Sequence, residues 1–161
     1  MSVEAELTTT AIAADLELGR FIAANPDAGA VVSFCGIARG SDRQGAAVAA
    51  LHLDHYPGMT ERSLDEIAAE GARRFDVSAV RVVHRYGAIQ PGDVIVFVAA
   101  ASAHRRAAFL AADYLMDRLK SDAVFWKKEE GVDGSRWIEP TEADRADLAR
   151  WNDPCPESTK A

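Results

Sequence analysis

The sequence has few of the features that mark several large classes of protein. It contains two cysteines, Cys35 and Cys155, which are too few for a disulfide framework or a zinc-binding spacing. One disulfide between them stays open, but a reducing, cytoplasmic setting is the simpler interpretation. No apolar run reaches the length of about 18 residues that a membrane-spanning helix needs. Residues 1–10 lack a basic segment followed by an apolar one, so no secretory signal is predicted.

Positive charge is also in the minority. The chain of 161 residues carries 18 lysines and arginines against 25 acidic residues, a formal net charge of -7. An acidic protein is a poor ligand for nucleic acid unless a local basic patch overrides the total. An anionic small substrate held in one basic pocket is still compatible with this balance. The hydrophobic content of 48% is that of an ordinary globular protein, and the length corresponds to one domain.

The spacing of apolar residues predicts one α+β domain over residues 1–150, followed by a frayed tail over residues 151–161. Strands are expected at 3–7, 30–38, 48–54, 77–85 and 94–101, and helices at 13–24, 60–74, 103–120 and 141–151. A hairpin is expected to pair 123–129 with 135–139. The run from Ala30 to Ala38 is almost continuously apolar, which favours a buried strand.

Local signals predict how two of these helices begin and pack. Thr60 and Ser102 are good N-cap residues for the second and third helices. In the third helix, a stripe at helical spacing is expected to be core. Its members are Phe109, Ala112, Met116 and Leu119.

Basic residues occur where elements begin or end. His104 and Arg105 open the third helix, where free N–H groups and cationic side chains together can bind an anion. Arg39 ends the apolar strand and enters a Gly-containing loop, a position from which it can also hold an anion. The competing interpretation is that these three are ordinary solvated surface residues.

Three lysines lie near the end of the third helix. Lys120 suits the negative end of the helix dipole, which is a sufficient structural reason for it. Lys127 and Lys128 follow in a strand and must point to opposite faces, so only one of them can share a pocket with Lys120. Two ammonium groups brought together lower each other's pKa, which can leave one of them able to act as a base near neutral pH.

A metal site is a weaker alternative. His52 and Asp54 share a strand face, while His55 lies on the opposite face. A metal ion needs three or four converging ligands, and at most two converge here. No metal is therefore predicted, although a small metal-dependent hydrolase stays an alternative. His84 is isolated and is interpreted as structural.

Several short motifs resemble the large, catalytic subunits of the molybdopterin synthase family. They occur in the family's order and spacing, at residues 53–60, 84–87, 91–93, 102–105, 125–129 and 136–137. The resemblance implies an α/β-hammerhead-like fold with an additional antiparallel β-sheet. The loop at 40–45 and Pro140 depart from the family's pattern.

The resemblance also implies a reaction and its partners. The activity is that of a transferase, a sulfurtransferase in molybdenum cofactor biosynthesis that acts on cyclic pyranopterin monophosphate. The sulfur arrives as a thiocarboxylate on the C-terminal Gly-Gly of a small, ubiquitin-like subunit. Two transfers form the dithiolene of molybdopterin, and the chain needs no cofactor. The implied assembly is a homodimer of large subunits within a heterotetramer, with neither nucleic acid nor membrane as a partner.

Residue roles follow from the same resemblance. Lys120 and Lys127 match the catalytic lysines. The residues expected to bind substrate or support the pocket are Arg39, His104, Arg105, Lys128, Ile37 and Ala38, with Phe34 and Met116. A non-catalytic module that binds a pterin or a phosphate is the main alternative function.

One distance adds a hypothesis. His104 and Lys120 are sixteen positions apart on one predicted helix, so they are separated by about 24 Å at the α-helical rise. A small pterin phosphate cannot contact both within one chain. We therefore expect a site shared across a homodimer, in which His104 and Arg105 of one chain face Lys120 and Lys127 of the other.

Overall fold

The computed structural model describes residues 1–152. Its elements, in chain order, are β1 (Ser2–Thr8), α1 (Ala14–Ala24), β2 (Ala30–Ile37), β3 (Val48–His55), α2 (Met59–Arg74), β4 (Ala79–Arg85), β5 (Gly87–Ile89), β6 (Val94–Ser102), α3 (Arg105–Ser121), β7 (Phe125–Gly131), β8 (Gly134–Ile138) and α4 (Glu142–Ala149). Most of the predicted tail, and Cys155 with its possible disulfide, lie outside the described residues.

The first sheet has the order β1-β4-β6-β2 and forms the centre of the molecule. β1 pairs in parallel with β4, and the other two pairings are antiparallel. Successive residues of β6 point to opposite faces, so Val96 and Val98 contact α2 and α3 while Phe97 and Ala99 contact the side covered by α1. Because helices cover both faces, this strand is apolar at every position from Val94 to Ala101 rather than at alternate ones.

The second sheet is antiparallel throughout, with the order β5-β3-β7-β8. It packs beside the first sheet through a small apolar cluster that contains Ala38, Leu53 and Ile89. The expected mixed fold, with an additional antiparallel sheet, is confirmed. β5 was not predicted, because its three residues lie in a segment whose glycine and proline indicate a turn.

Residues 30–37 form the expected strand, β2, but the prediction that it is buried is wrong. β2 is the edge strand of the first sheet, and Phe34 and Ile37, which are 44% and 56% exposed, line a cleft. Val31 and Cys35 pack against the apolar cluster on the side of the sheet that α1 covers. Ala38, which follows the strand, is the buried member of this stretch.

Both predicted N-caps are corrected. Gly58 caps α2 in a left-handed conformation with φ of 82°, and the carboxylate of Glu61 accepts a hydrogen bond from its N–H at 2.7 Å. His104 caps α3, while Ser102 is the last residue of β6 and its hydroxyl accepts the N–H of His104 at 3.3 Å.

The core face of α3 is also rotated from the expected one. Its buried stripe contains Ala108, Ala111 and Leu115, whereas Phe109 is 61% exposed. Ala112 and Leu119 are buried as expected, and Met116 is half-buried. The large side chain of Phe109 favoured the wrong stripe, because small alanines allow α3 to lie close to the sheet and to α2.

The chain after β8 returns to α3. Trp151 packs edge-on against Phe75 and Tyr114, with ring centroids 5.5 and 5.4 Å apart. Its indole N–H donates to Asp117 of α3 at 2.7 Å. Helix α4 is therefore fixed at its C-terminal end. Within residues 1–152, no helix is both long and apolar enough to cross a membrane.

Thr60 links α2 to Val124, the residue before β7, and its replacement by valine is expected to destabilise the fold. The buried hydroxyl donates to the carbonyl of Val124 at 2.7 Å and accepts the N–H of Tyr56 at 2.9 Å. Thr60→Val keeps the shape but leaves both backbone groups without this partner, a cost of about 1–3 kcal/mol. Urea unfolding measures it, with the exposed Thr10→Val as control. Equal stabilities of the two variants would contradict the expectation.

Candidate functional site

A cleft of about 610 Å³ lies between the two sheets, at the C-terminal end of α3. One wall is apolar and the other carries most of the charge. The apolar wall includes Phe34, Ile37 and Met116, and the charged side chains are Arg39, Asp42, Arg43, Lys120, Lys127 and Glu129. Four of these six are cationic, so the cleft is basic although the whole chain is acidic.

Strand alternation decides which β7 lysine enters the cleft. Lys127 pairs with the fully buried Leu53 and lines the cleft beside Lys120. Lys128 is on the opposite face, with its ammonium 5.7 Å from the ring centroid of Trp137. As strand alternation predicts, one of these two lysines shares the cleft with Lys120 and the other does not.

The environment of Lys127 favours its neutral amine. Burial lowers the pKa of Lys127, the positive charge of Lys120 lowers it further, and the carboxylate of Asp144 offsets part of the effect. Among residues 1–152, the Lys127 ammonium has no hydrogen-bond or ion-pair partner. A lysine with a lowered pKa can accept a proton at a pH where an ordinary lysine is fully charged.

Lys120 has a different environment. Its ammonium lies 3.0 Å from a carboxylate oxygen of Asp144, the third residue of α4. Burial acts to raise the pKa of Asp144, but hydrogen bonds from Thr141 and from Lys120 outweigh it and hold the pKa well below its usual range. The contact of Asp144 with Lys120 was not predicted from the sequence. The Thr-x-x-Asp capping pattern after Pro140 marks the start of a helix there, which is the one local signal for this residue.

The loop that carries Arg39 is held at both ends. Ala38 donates its N–H to the carbonyl of Asp93 and accepts the N–H of Gly92, each at 2.9 Å. Further along, the carboxylate of Asp42 accepts the N–H groups of Gln44 and Ala46 at 2.9 Å. Arg39 is exposed and lines the cleft. The divergent loop thus presents a cation at the mouth of the cleft on a fixed backbone.

His84 forms part of the cleft wall as a neutral side chain. Its ring stacks on Phe125 with centroids 4.2 Å apart, and its Nδ1 donates to the carbonyl of Arg85 at 2.8 Å. Complete burial lowers the pKa of His84 to about 4, and the nearby charge of Lys127 acts in the same direction. The sequence analysis interpreted His84 as structural, and at neutral pH it adds no charge to the cleft.

His104 and Arg105 lie away from this cleft. Both are exposed at the N-terminal end of α3, and the helix continues without a break to Ser121. His104 and Lys120 are therefore separated by about 24 Å, the length of sixteen α-helical residues. Within one chain the structure brings together Arg39, Lys120 and Lys127, but not the two basic residues that open α3.

The residues of the alternative metal site do not converge. His52 lies 3.0 Å from the carboxylate of Asp54, while His55 packs against the ring of Tyr86 with centroids 4.0 Å apart. In the part of the chain that the structure describes, no three His, Cys, Asp or Glu side chains form a group that could hold a metal ion.

Comparison with known proteins assigns this chain to a family. A family model described as MoaE protein matches residues 7–122, which is more than half of the chain. The chain belongs to the MoaE protein family.

A curated MoaE relative from Caulobacter vibrioides, named molybdopterin synthase catalytic subunit, is 55% identical over 132 residues, which cover 82% of this chain and 86% of that protein. Among solved structures, the MoaE protein from Burkholderia ambifaria has a TM-score of 0.78 and 42% identity, with 94% of this chain and 98% of that chain covered. Molybdopterin synthase from Staphylococcus aureus has a TM-score of 0.74 and 33% identity, with 83% and 95% covered.

Proposed function

We propose that this MoaE protein is the catalytic subunit of a molybdopterin synthase and acts as a sulfurtransferase. It moves sulfur from a thiocarboxylated small subunit to cyclic pyranopterin monophosphate, and two transfers give the molybdopterin dithiolene. The observation that carries the proposal is that Lys120 and a half-buried Lys127 of lowered pKa lie together in one basic cleft. The names of the relatives from Caulobacter vibrioides and Staphylococcus aureus support the same activity.

In the proposed reaction, Lys127 is the general base or acid, because its lowered pKa lets it exchange a proton more readily than an ordinary lysine. Lys120 and Arg39 supply positive charge that stabilises negative charge as the cyclic phosphate opens. Phe34 and Met116 form the apolar side of the cleft, against which a pterin ring can pack. Ile37 and Ala38 support the strand end from which Arg39 extends.

A sulfur donor must reach this cleft from outside the chain. We propose a small, ubiquitin-like subunit whose C-terminal Gly-Gly thiocarboxylate enters between Lys120 and Lys127. The name of the Caulobacter relative, a catalytic subunit, supports an enzyme of more than one kind of chain. The proposed setting is the cytoplasm, where thiols stay reduced.

The proposed assembly is a homodimer of this chain within a heterotetramer. His104 and Arg105 extend the basic cleft only if they come from a second copy, because α3 separates them from Lys120 in their own chain. Lys128, on the opposite face of β7, contacts Trp137 in this chain and is proposed as a lesser contributor to substrate binding.

Reconstitution tests the proposal. The purified protein is mixed with cyclic pyranopterin monophosphate and a thiocarboxylated small subunit, and the dithiolene product is assayed. We expect product to form in proportion to the thiocarboxylate supplied, with two sulfurs consumed for each pterin. A small subunit with an ordinary C-terminal carboxylate is the control. If both partners bind but no product forms, the chain is a pterin-binding module and the proposed activity is wrong.

A further inference from the structure

We propose that Asp144, which the short helix α4 delivers to the edge of the cleft, is a positioning residue for the ammonium of Lys120. The inference rests on the proposed function, in which Lys120 must face the substrate. Its basis is the contact of 3.0 Å between the Lys120 ammonium and a carboxylate oxygen of Asp144. The other acids that line the cleft, Asp42 and Glu129, pair with Arg136. Within residues 1–152, Asp144 is the carboxylate that pairs with the Lys120 ammonium.

The carboxylate is the fixed member of the pair. One oxygen of Asp144 accepts the backbone N–H of Thr141 at 2.8 Å and the Thr141 hydroxyl at 2.7 Å, so the other oxygen is directed to Lys120. The side chain of Asp144 is 14% exposed, whereas that of Lys120 is 55% exposed. A long lysine side chain with that much freedom samples many rotamers. Asp144 selects the rotamer that stays beside the cleft.

Contacts with α3 hold helix α4 in place, so that its Asp144 can position Lys120. Arg150 donates to the carboxylate of Asp117 at 2.6 Å, and Trp151 donates to the same carboxylate. Asp117 and Lys120 belong to α3, so α4 is anchored on the helix whose lysine it positions. Preorganisation of a functional group requires a supporting residue that is itself locked in place, and Asp144 meets that condition.

The negative charge also acts on Lys127. Charged and titratable groups face Lys127 from each neighbouring element: Lys120 from α3, Asp144 from α4, His84 from β4, Glu129 from β7, and Arg39 and Arg43 from the loop. Burial and Lys120 lower the pKa of Lys127, while Asp144 raises it. Removal of the Asp144 charge should therefore lower the pKa of Lys127 further. Where Lys127 acts as the base, the acidic limb of the pH–rate profile should then move to lower pH, because the Lys127 ammonium gives up its proton at a lower pH.

Asp144→Asn tests the proposal in the reconstituted enzyme. Asparagine keeps an oxygen that can accept the Thr141 hydrogen bonds, so α4 stays capped while the charge is lost. We expect kcat to fall roughly tenfold, which is the order expected when one charge-assisted contact of a half-exposed lysine is lost. The acidic limb should shift to lower pH, and Asp144→Glu should recover part of kcat. Glu142→Gln, which removes an exposed charge from the same helix, should leave kcat and the pH profile unchanged.

Labelling of the purified protein alone separates this inference from the proposed activity. An amine-reactive reagent at limiting concentration, followed by peptide mass spectrometry, reports the reactivity of each lysine. Asp144→Asn should speed labelling of Lys120, because its amine is freed from the ion pair. That result would support positioning even if the wild type made no product, which would refute only the proposed function. Unchanged labelling and kcat, or a rise in kcat, would overturn the inference.

Discussion

Replacement of Lys127 by methionine should reduce kcat of the reconstituted reaction by about 10²–10⁴-fold, the usual contribution of one general acid–base group. Lys127 is the cleft lysine whose environment lowers its pKa, so its loss removes a group that exchanges a proton more readily than an ordinary lysine. Methionine fills much of the same volume without a charge. Because burial of an ammonium is costly, the variant should be at least as stable as the wild type. The activity loss will then not come from unfolding.

Lys128→Met is the matched control for this experiment. The two lysines are neighbours in β7, but Lys128 lies on the other face against Trp137. We expect its kcat to stay within a few-fold of the wild type, and its KM reports any lesser role in substrate binding. Thermal unfolding of both variants checks the fold. Comparable kcat values for the two variants would refute the assignment of Lys127 as the proton-transfer group.

A mixture of two inactive variants, His104→Ala and Lys120→Met, is expected to regain activity when their subunits exchange. If His104 of one chain and Lys120 of the other share a site, a mixed dimer has one intact site and one site with both defects. Random exchange makes half of the dimers mixed, so about one quarter of wild-type activity should return. The physical reason is the unbroken α3, which separates the two residues by about 24 Å within each chain.

The control is a mixture of Lys120→Met with Lys127→Met. These two lysines line the same cleft of one chain, so each site in a mixed dimer carries one defect and no activity should return. A chain that carries both lysine substitutions, mixed with wild type, gives one intact site in each mixed dimer and serves as the reference. No recovery by His104→Ala with Lys120→Met, despite verified exchange, would show that the shared site does not exist.

Much of the fold was predictable from the sequence, because strand alternation and helical periodicity depend on residues that are close together in the chain. The alternation of side chains along a strand separated Lys127 from Lys128, and the apolar run at 94–101 predicted the strand β6. The predicted length of the third helix placed His104 and Lys120 too far apart to share one site within a single chain.

The rest depended on contacts between distant segments. The same apolar pattern in β2 gave the wrong burial, because a strand at a sheet edge beside a cleft has the same composition as one in the centre. Phe109 looked like core, but small alanines determined the orientation of α3. Asp144 was missed because its role depends on α4 returning to Lys120, and no local pattern encodes that approach.

The segment between Lys120 and Lys127 has a consequence for how this family can vary. Six residues separate the two lysines, and three of them, 122–124, connect α3 to β7. The backbone of Val124 is held there by the hydroxyls of Thr60 and Ser63 at 2.7 and 3.3 Å. An insertion or deletion in this segment would change the lysine spacing or break those bonds. We expect natural length variation to accumulate in the loop after Arg39 and to be purged between the two lysines.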